Sequence, residues 1–357
     1  MSLAGHLARR IAAEGPMTLA DYMSACLLHP DWGYYTRRDP LGSAGDFITA
    51  PETSQMFGEL IGLCLAQSWL DQGAPTPFAL VELGPGRGTL MADILRATRG
   101  VPGFHAAARV VLVEASPVLR ARQALALPDA APEWVDDVEA LPDLPVFCVA
   151  NEFFDALPVR QFRRDGRGWR ETVVGLRDGA LSLGLTDPAP LAALSHRLAD
   201  TGDGMVVETS AAAISVAATL GARVEARGGA VLIVDYGDWR SQGDTFQALR
   251  AHRPVGVLED PGACDLTAHV DFEALARAAP AAHTKMTPQG IFLERLGITP
   301  RAQALAAGLS GANLDQHVAA HRRLTHPEEM GTLFKVMALY PHKASPPPGL
   351  ETANHLE

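Results

Sequence analysis

The sequence predicts an α/β protein: a mostly parallel sheet with helices on both faces, an N-terminal helical segment ahead of it and an antiparallel insertion within it. Three observations predict this. Between residues 78 and 150, short apolar runs alternate with helical stretches. Runs such as Val110-Val111-Leu112-Val113 are apolar at every position, as suits strands covered on both faces. A glycine-rich turn, Gly84-Pro85-Gly86-Arg87-Gly88, stands between the first run and the helix after it, the strand–turn–helix order of a nucleotide-type fold.

Residues 1–30 read as helical, with Thr18 and Asp21 spaced as a capping box and His29-Pro30 as the stop. Residues 31–52 are rich in turns and aromatics. A helix is expected over 54–70, where Phe57, Ile61, Leu65 and Trp69 recur at every fourth position. Gly58 and Gly62 inside it cost roughly 1 kcal/mol each against alanine, so another element should approach closely there. Strands follow at 78–83, 109–114, 134–135 and 146–150, with helices at 89–99 and 117–126. Residues 159–187 break this pattern and read as a hairpin plus one more strand. An alanine-rich helix at 209–226, a buried strand at 229–237, a helix from about 272 and a last strand at 334–339 complete the layer. The expected organisation is a helical cap at 1–76, a core at 77–158 and 205–343, an insertion at 159–204, and a tail at 344–357. Pro346-Pro347-Pro348 mark that tail as disordered.

The formal charge is −11, from 30 basic and 41 acidic residues, which argues against non-specific binding to nucleic acid or to an anionic membrane surface. No apolar run reaches the roughly 18 residues of a membrane span. Met1 to Arg10 lacks the order of a secretory signal. Cys26, Cys64, Cys148 and Cys264 lie far apart, so reduced thiols in a cytoplasm are expected. No metal site is expected: His317 and His321 share a helical face, but no cysteine or carboxylate joins them at metal spacing.

The turn carries the first chemistry. Its glycines let the main chain approach a ligand, and the helix behind it offers free N–H groups. The spacing is G-x-G-x-G, with Thr89 where a dinucleotide site usually has its third glycine. Glu82, two residues before Gly84, would repel a pyrophosphate but can accept from an ammonium, such as that of S-adenosylmethionine. Glu114, ending the second strand, can receive both ribose hydroxyls. Asp136-Asp137, ending the third, can accept from the adenine amino group. Three acidic strand ends in a row therefore point to S-adenosylmethionine and to the class I methyltransferase version of this fold. The cofactor set is Glu82, Gly84, Pro85, Gly86, Gly88, Thr89, Glu114, Asp136 and Asp137. An NAD site, a purely structural glycine turn and a helix cap at Asp136 or Asp137 are the alternatives.

After the fourth strand comes Asn151-Glu152-Phe153-Phe154-Asp155-Ala156-Leu157-Pro158. In doubly wound folds the ligand crevice lies beyond the carboxyl ends of the strands. Methyltransferases acting on nitrogen often place Asn or Asp followed by aromatics there. Asn151, Glu152 and Asp155 are therefore the catalytic candidates: Asn151 to orient the target nitrogen, the two carboxylates to hold a cationic acceptor such as a guanidinium. Capping of the following loop is the alternative for both acids. Asp46, Thr49 and Glu52 are candidates for a cap over the cofactor, or for shaping a turn.

These motifs resemble a known family. Gly45-Asp46-Phe47-Ile48-Thr49-Ala50-Pro51-Glu52, the Glu82–Leu90 and Asn151–Val159 stretches, Asp235-Tyr236-Gly237 and Asp265 to Phe272 are together similar to the MidA-type S-adenosylmethionine-dependent methyltransferases, from about residue 15 to 341. The resemblance implies a protein-arginine methyltransferase forming symmetric dimethylarginine on a subunit of respiratory complex I, in whose assembly the mitochondrial members act. It implies a protein partner. A cofactor-binding assembly factor without catalysis and a small-molecule methyltransferase remain open alternatives.

Overall fold

The structure is a computed structural model that describes residues 2–37, 49–251 and 253–353. Its centre is a sheet of six main strands: β1 (Phe78–Leu83), β2 (Ala108–Val113), β3 (Glu133–Val135), β4 (Val146–Asn151), β5 (Gly229–Asp238) and β6 (Phe334–Tyr340). The spatial order is β6-β5-β4-β1-β2-β3. All neighbours run parallel except β6, which lies antiparallel to β5. β1, β4 and most of β5 are buried throughout, which is why their sequences are apolar without alternation. The chain leaves β1 outward through β2 and β3, then returns to the other side of β1 as β4. The switch point therefore falls between β1 and β4, and a crevice opens beyond their carboxyl ends.

Helices α1 (Leu3–Glu14) and α2 (Leu19–Leu28) form the N-terminal segment; α3 (Gln55–Asp71), α4 (Thr89–Thr98), α5 (Pro117–Ala126) and α6 (Ala211–Arg227) belong to the core. One apolar layer joins α3 and α4 to one face of the sheet, and the other joins α6 and the helix Phe272–Ala278 to the opposite face. The close approach expected at Gly58 and Gly62 is α4. A Cβ at Gly58 would meet Asp93 Cβ at 2.6 Å, and one at Gly62 would meet Ile94 Cα at 2.9 Å.

Several expectations need correction. Residues 1–30 are helical as expected, with Thr18 capping α2 through the Asp21 N–H and His29 ending it, but Met17–Thr18 also forms a short strand that pairs with Val173–Val174 of the insertion. The insertion continues beyond residue 204, because Val206–Thr209 pairs with Arg160–Arg163 and extends its sheet. A three-stranded sheet of Gln247–Arg250, Arg253–Val255 and Asp265–Thr267 was not foreseen; it packs on α2 around Ala248, Cys264 and Leu266. The tail is ordered through residue 353. Leu350 is buried, the N–H of Lys285 donates to the carbonyl of Glu351 at 2.8 Å, and Arg295 pairs with the Glu351 carboxylate at 2.8 Å. Proline cannot donate to a ladder, but it does not prevent such a segment from docking against a formed core. Residues 354–357 lie outside the described residues.

Candidate active site

The glycine turn leaves β1 in a path that side chains rarely follow. Gly84, Gly86 and Gly88 have φ of +59°, +54° and +85°. A Cβ at Gly84 would lie 3.0 Å from the ring of Phe153, so the two candidate turns meet across the switch point. A cavity of ≈ 460 Å³ lies over them, lined on one side by Glu82, Gly84, Pro85, Gly86 and Thr89, and on the other by Asn151, Glu152 and Phe153.

Glu82 is buried, and its Oε2 has no hydrogen-bond partner among the described residues. Burial pushes its carboxyl up to about 8, opposed by the Met91 N–H and assisted by the Glu114 charge. An orphaned, buried acceptor on a cavity wall suits a cationic donor, which would restore the charged form. Glu114 is also buried, and burial raises it too. Its Oε1 accepts from the Ser116 N–H at 2.8 Å and its Oε2 from Gln123 Nε2 at 3.1 Å. Each oxygen keeps a lone pair for a ribose hydroxyl. Gln123 is a further site residue that the motifs did not single out. It is fully buried on α5, and its amide also donates to the Gly86 carbonyl at 2.8 Å, tying the turn to Glu114. Its position four residues after Leu119, on the inward face of α5, is the signal that could have found it.

Asp136 and Asp137 both line the cavity. Asp136 is solvent-facing and paired with Arg120 at 2.6 Å, and Asp137 accepts from the Ala140 N–H at 3.0 Å, closing a turn with no helix behind it. Thr89 and Glu52 are joined directly, Thr89 Oγ1 donating to Glu52 Oε1 at 2.6 Å. Thr49 and Glu52 both face the cavity from the short helix Ala50–Thr53 and its N-cap. Asp46 lies outside the described residues. Ser24, Leu27, Leu28 and Tyr35 also line the cavity and were not singled out. They reach it from α2 and the turn after it, by tertiary packing that no local pattern encodes.

At the opposite wall, Asn151 ends β4 and Glu152 takes φ +51°. Glu152 Oε1 accepts from the Ala50 N–H and from Asn151 Nδ2, both at 3.1 Å. A carboxylate only accepts, so the amide nitrogen must face Glu152. Asn151 Oδ1 is left buried and without a partner among the described residues. Burial, with the Asp155 charge, lifts the Glu152 carboxyl to about 7. Asp155 is placed differently from expectation: it does not line the cavity. It sits buried beneath the wall, facing Tyr236 and Asp235, with burial pushing it up to about 6. Glu152, at positive φ, lines the cavity, whereas Asp155 lies beneath it.

Residues 60–291 match the family model of S-adenosyl-L-methionine-dependent methyltransferases. The chain belongs to this family. It is 36% identical, over 95% of its length and 86% of theirs, to the mitochondrial protein arginine methyltransferase NDUFAF7 of Danio rerio, and equally to that of Homo sapiens over 95% and 83%. Among solved structures, a superfamily member from Burkholderia thailandensis bound to S-adenosyl-homocysteine is 30% identical, with a TM-score of 0.83 over 99% of this chain and 96% of that one. The enzyme is an S-adenosylmethionine-dependent methyltransferase. The residues present fit that cofactor, since Glu82 offers a buried unpaired acceptor and the three left-handed glycines leave its approach open.

No helix of the described residues is long and apolar enough to cross a membrane, and no group of histidine, cysteine or carboxylate among them could hold a metal ion.

Proposed function

We propose that this methyltransferase acts on the guanidinium of an arginine in a protein, with Asn151 and Glu152 holding the acceptor. The observation that carries the reading is the pair of acceptors at the end of β4: Asn151 Oδ1, buried and unpartnered, beside a Glu152 carboxylate fixed through its other oxygen by Ala50 and Asn151. A guanidinium brings five N–H donors in one plane and a positive charge, which such a pair can hold and orient. The relatives named as protein arginine methyltransferases support the same acceptor.

The cofactor supplies a methyl on a sulfonium, already joined to a good leaving group. In this reading Glu82 binds the cofactor's ammonium, Glu114 its ribose and Asp136 or Asp137 its adenine end, while Gly84 to Thr89 form the cradle. Thr49 and Glu52 close the cofactor side through the bond from Thr89 to Glu52. Holding the target nitrogen in line is the main task, and such positioning lowers barriers by about 7–11 kcal/mol at best. As the new N–C bond forms, the nitrogen loses a proton, and a Glu152 carboxylate titrating at about 7 is suited to accept it.

The target we propose is a subunit of respiratory complex I, methylated in a bacterial cytoplasm; family resemblance alone carries this finer part. The test is transfer of labelled methyl from S-adenosylmethionine to purified complex I subunits. Wild type should label arginine and Glu152→Gln should lose that label. Labelling that is confined to other residue types, or indifferent to Glu152→Gln, would overturn the reading.

A further inference from the structure

Asp235 lies on β5 beneath the cavity, fully buried and absent from its wall. Its Oδ2 accepts from the N–H groups of Phe154 at 2.9 Å and Asp155 at 3.2 Å, and its Oδ1 accepts from the N–H of Tyr236 at 2.9 Å. Two of these three donors belong to the turn that leaves β4. That turn begins with Glu152 in the left-handed region, where a side-chain-bearing residue stays only if its surroundings hold it. From β5 the carbonyl of Val234 accepts the Glu152 N–H at 2.9 Å. The turn is thus pinned at both ends by neighbouring residues of one strand, one pin a main-chain carbonyl and the other a buried carboxylate.

A buried carboxylate facing like charges is costly, and both Asp155 and Glu152 face this one; burial and those neighbours push it up while the N–H donors oppose them. A main-chain ladder would satisfy the same amides with neutral groups. The use of a carboxylate here is explained if the turn must leave the ladder to carry its side chains upward.

We infer that Asp235 is a positioning residue for methyl transfer, fixing the 152–155 turn so that Glu152 and Asn151 present their acceptors to one point of the cavity. This rests on the reading of Glu152 as the group that holds the guanidinium. Asp235→Asn is the informative change. It keeps the shape but leaves one acceptor oxygen where there were two and sets an NH₂ donor against the rest, so the N–H groups of Phe154, Asp155 and Tyr236 can no longer all be held, and no cavity opens.

The probe is methylguanidinium, titrated into the full chain saturated with S-adenosyl-homocysteine and followed by NMR. Wild type should bind it, and Glu152→Gln should weaken it at least tenfold. Asp235→Asn should also weaken it at least tenfold while S-adenosyl-homocysteine affinity stays within twofold. In a Glu152→Gln background, Asp235→Asn should change the remaining probe affinity less than twofold. Asp235→Ser, which keeps an acceptor with room for a water, carries the same expectations should Asp235→Asn not fold. Unchanged probe binding in the Asp235 variants would overturn the inference and leave the Glu152 reading intact. Parallel loss of S-adenosyl-homocysteine binding would reduce Asp235 to a general structural residue and overturn it as well. Probe binding that ignores Glu152→Gln would overturn the reading beneath it, and the inference with it.

Discussion

In the proposed reading, the buried carboxyl of Glu82 makes cofactor binding a proton-coupled event. With its carboxyl raised to about 8, the free enzyme holds that group about 90% protonated at pH 7 and about 99% at pH 6. An ammonium donor on Oε2 needs the ionised form. Ionising it takes about 1.4 kcal/mol at pH 7 and about 2.7 kcal/mol at pH 6, so affinity should fall about ninefold between them. About 0.9 proton should leave per cofactor bound at pH 7. Glu82→Gln removes both the ionisation and the charge-assisted bond, the latter worth about 1.5–3 kcal/mol. At pH 7 the two changes leave the variant up to about 15-fold weaker; at pH 6 they leave it between about 8-fold tighter and about twofold weaker. Calorimetry with S-adenosyl-homocysteine, in two buffers of different ionisation enthalpy, reads both quantities. A wild-type affinity that does not change between pH 6 and 7, or a variant with the same slope as wild type, would refute the reasoning.

The same logic applies across the cavity. Glu152, raised to about 7, is about 9% ionised at pH 6 and about 90% at pH 8, so kcat/KM should climb about tenfold through neutrality as its carboxylate forms. Glu152→Gln should abolish that limb and cost on the order of 100-fold or more in kcat. Gly62→Ala places a methyl 2.9 Å from the Ile94 main chain, where neither helix can give way, and should lower stability by about 1–3 kcal/mol in thermal or denaturant unfolding. Leu350→Ala should lower it by about 2–4 kcal/mol, since the residue is only 7% exposed; an unchanged midpoint would mean that the tail does not stay docked.

How far the molecule could be read in its sequence follows from where each contact lies along the chain. The central strands were legible because burial on both faces writes an unbroken apolar run, as in β1, β2 and β4. That Glu82, Glu114, Asp136 and Asp137 share one cavity wall was legible because they fall at the ends of successive strands, a local and periodic signal. Gly58 and Gly62 correctly announced a close neighbour, though not that α4 would be the neighbour. What stayed hidden is non-local. Gln123 reads as an ordinary helix residue until α5 lays it against Gly86. Tyr35 reads as one aromatic among several until its hydroxyl reaches Asp265 and its carbonyl meets the Ser116 hydroxyl. Asp155 and Glu152 lie only three positions apart in sequence, yet Glu152 alone of the two reaches the cavity wall. The small sheet of residues 247–267 escaped notice because its strands are three or four residues long and one contains Pro254, a residue tolerated on a sheet edge.

A crystal structure of this chain with S-adenosyl-homocysteine bound tests the central claim most directly, namely that one cavity has a cofactor end at Glu82 and an acceptor end at Asn151 and Glu152. The expected result is the ligand's ammonium within hydrogen-bond distance of Glu82 Oε2, its ribose hydroxyls on Glu114, and its sulfur turned toward Asn151 and Glu152. A ligand whose adenine lies against Glu82, or whose sulfur faces away from Glu152, would contradict the account.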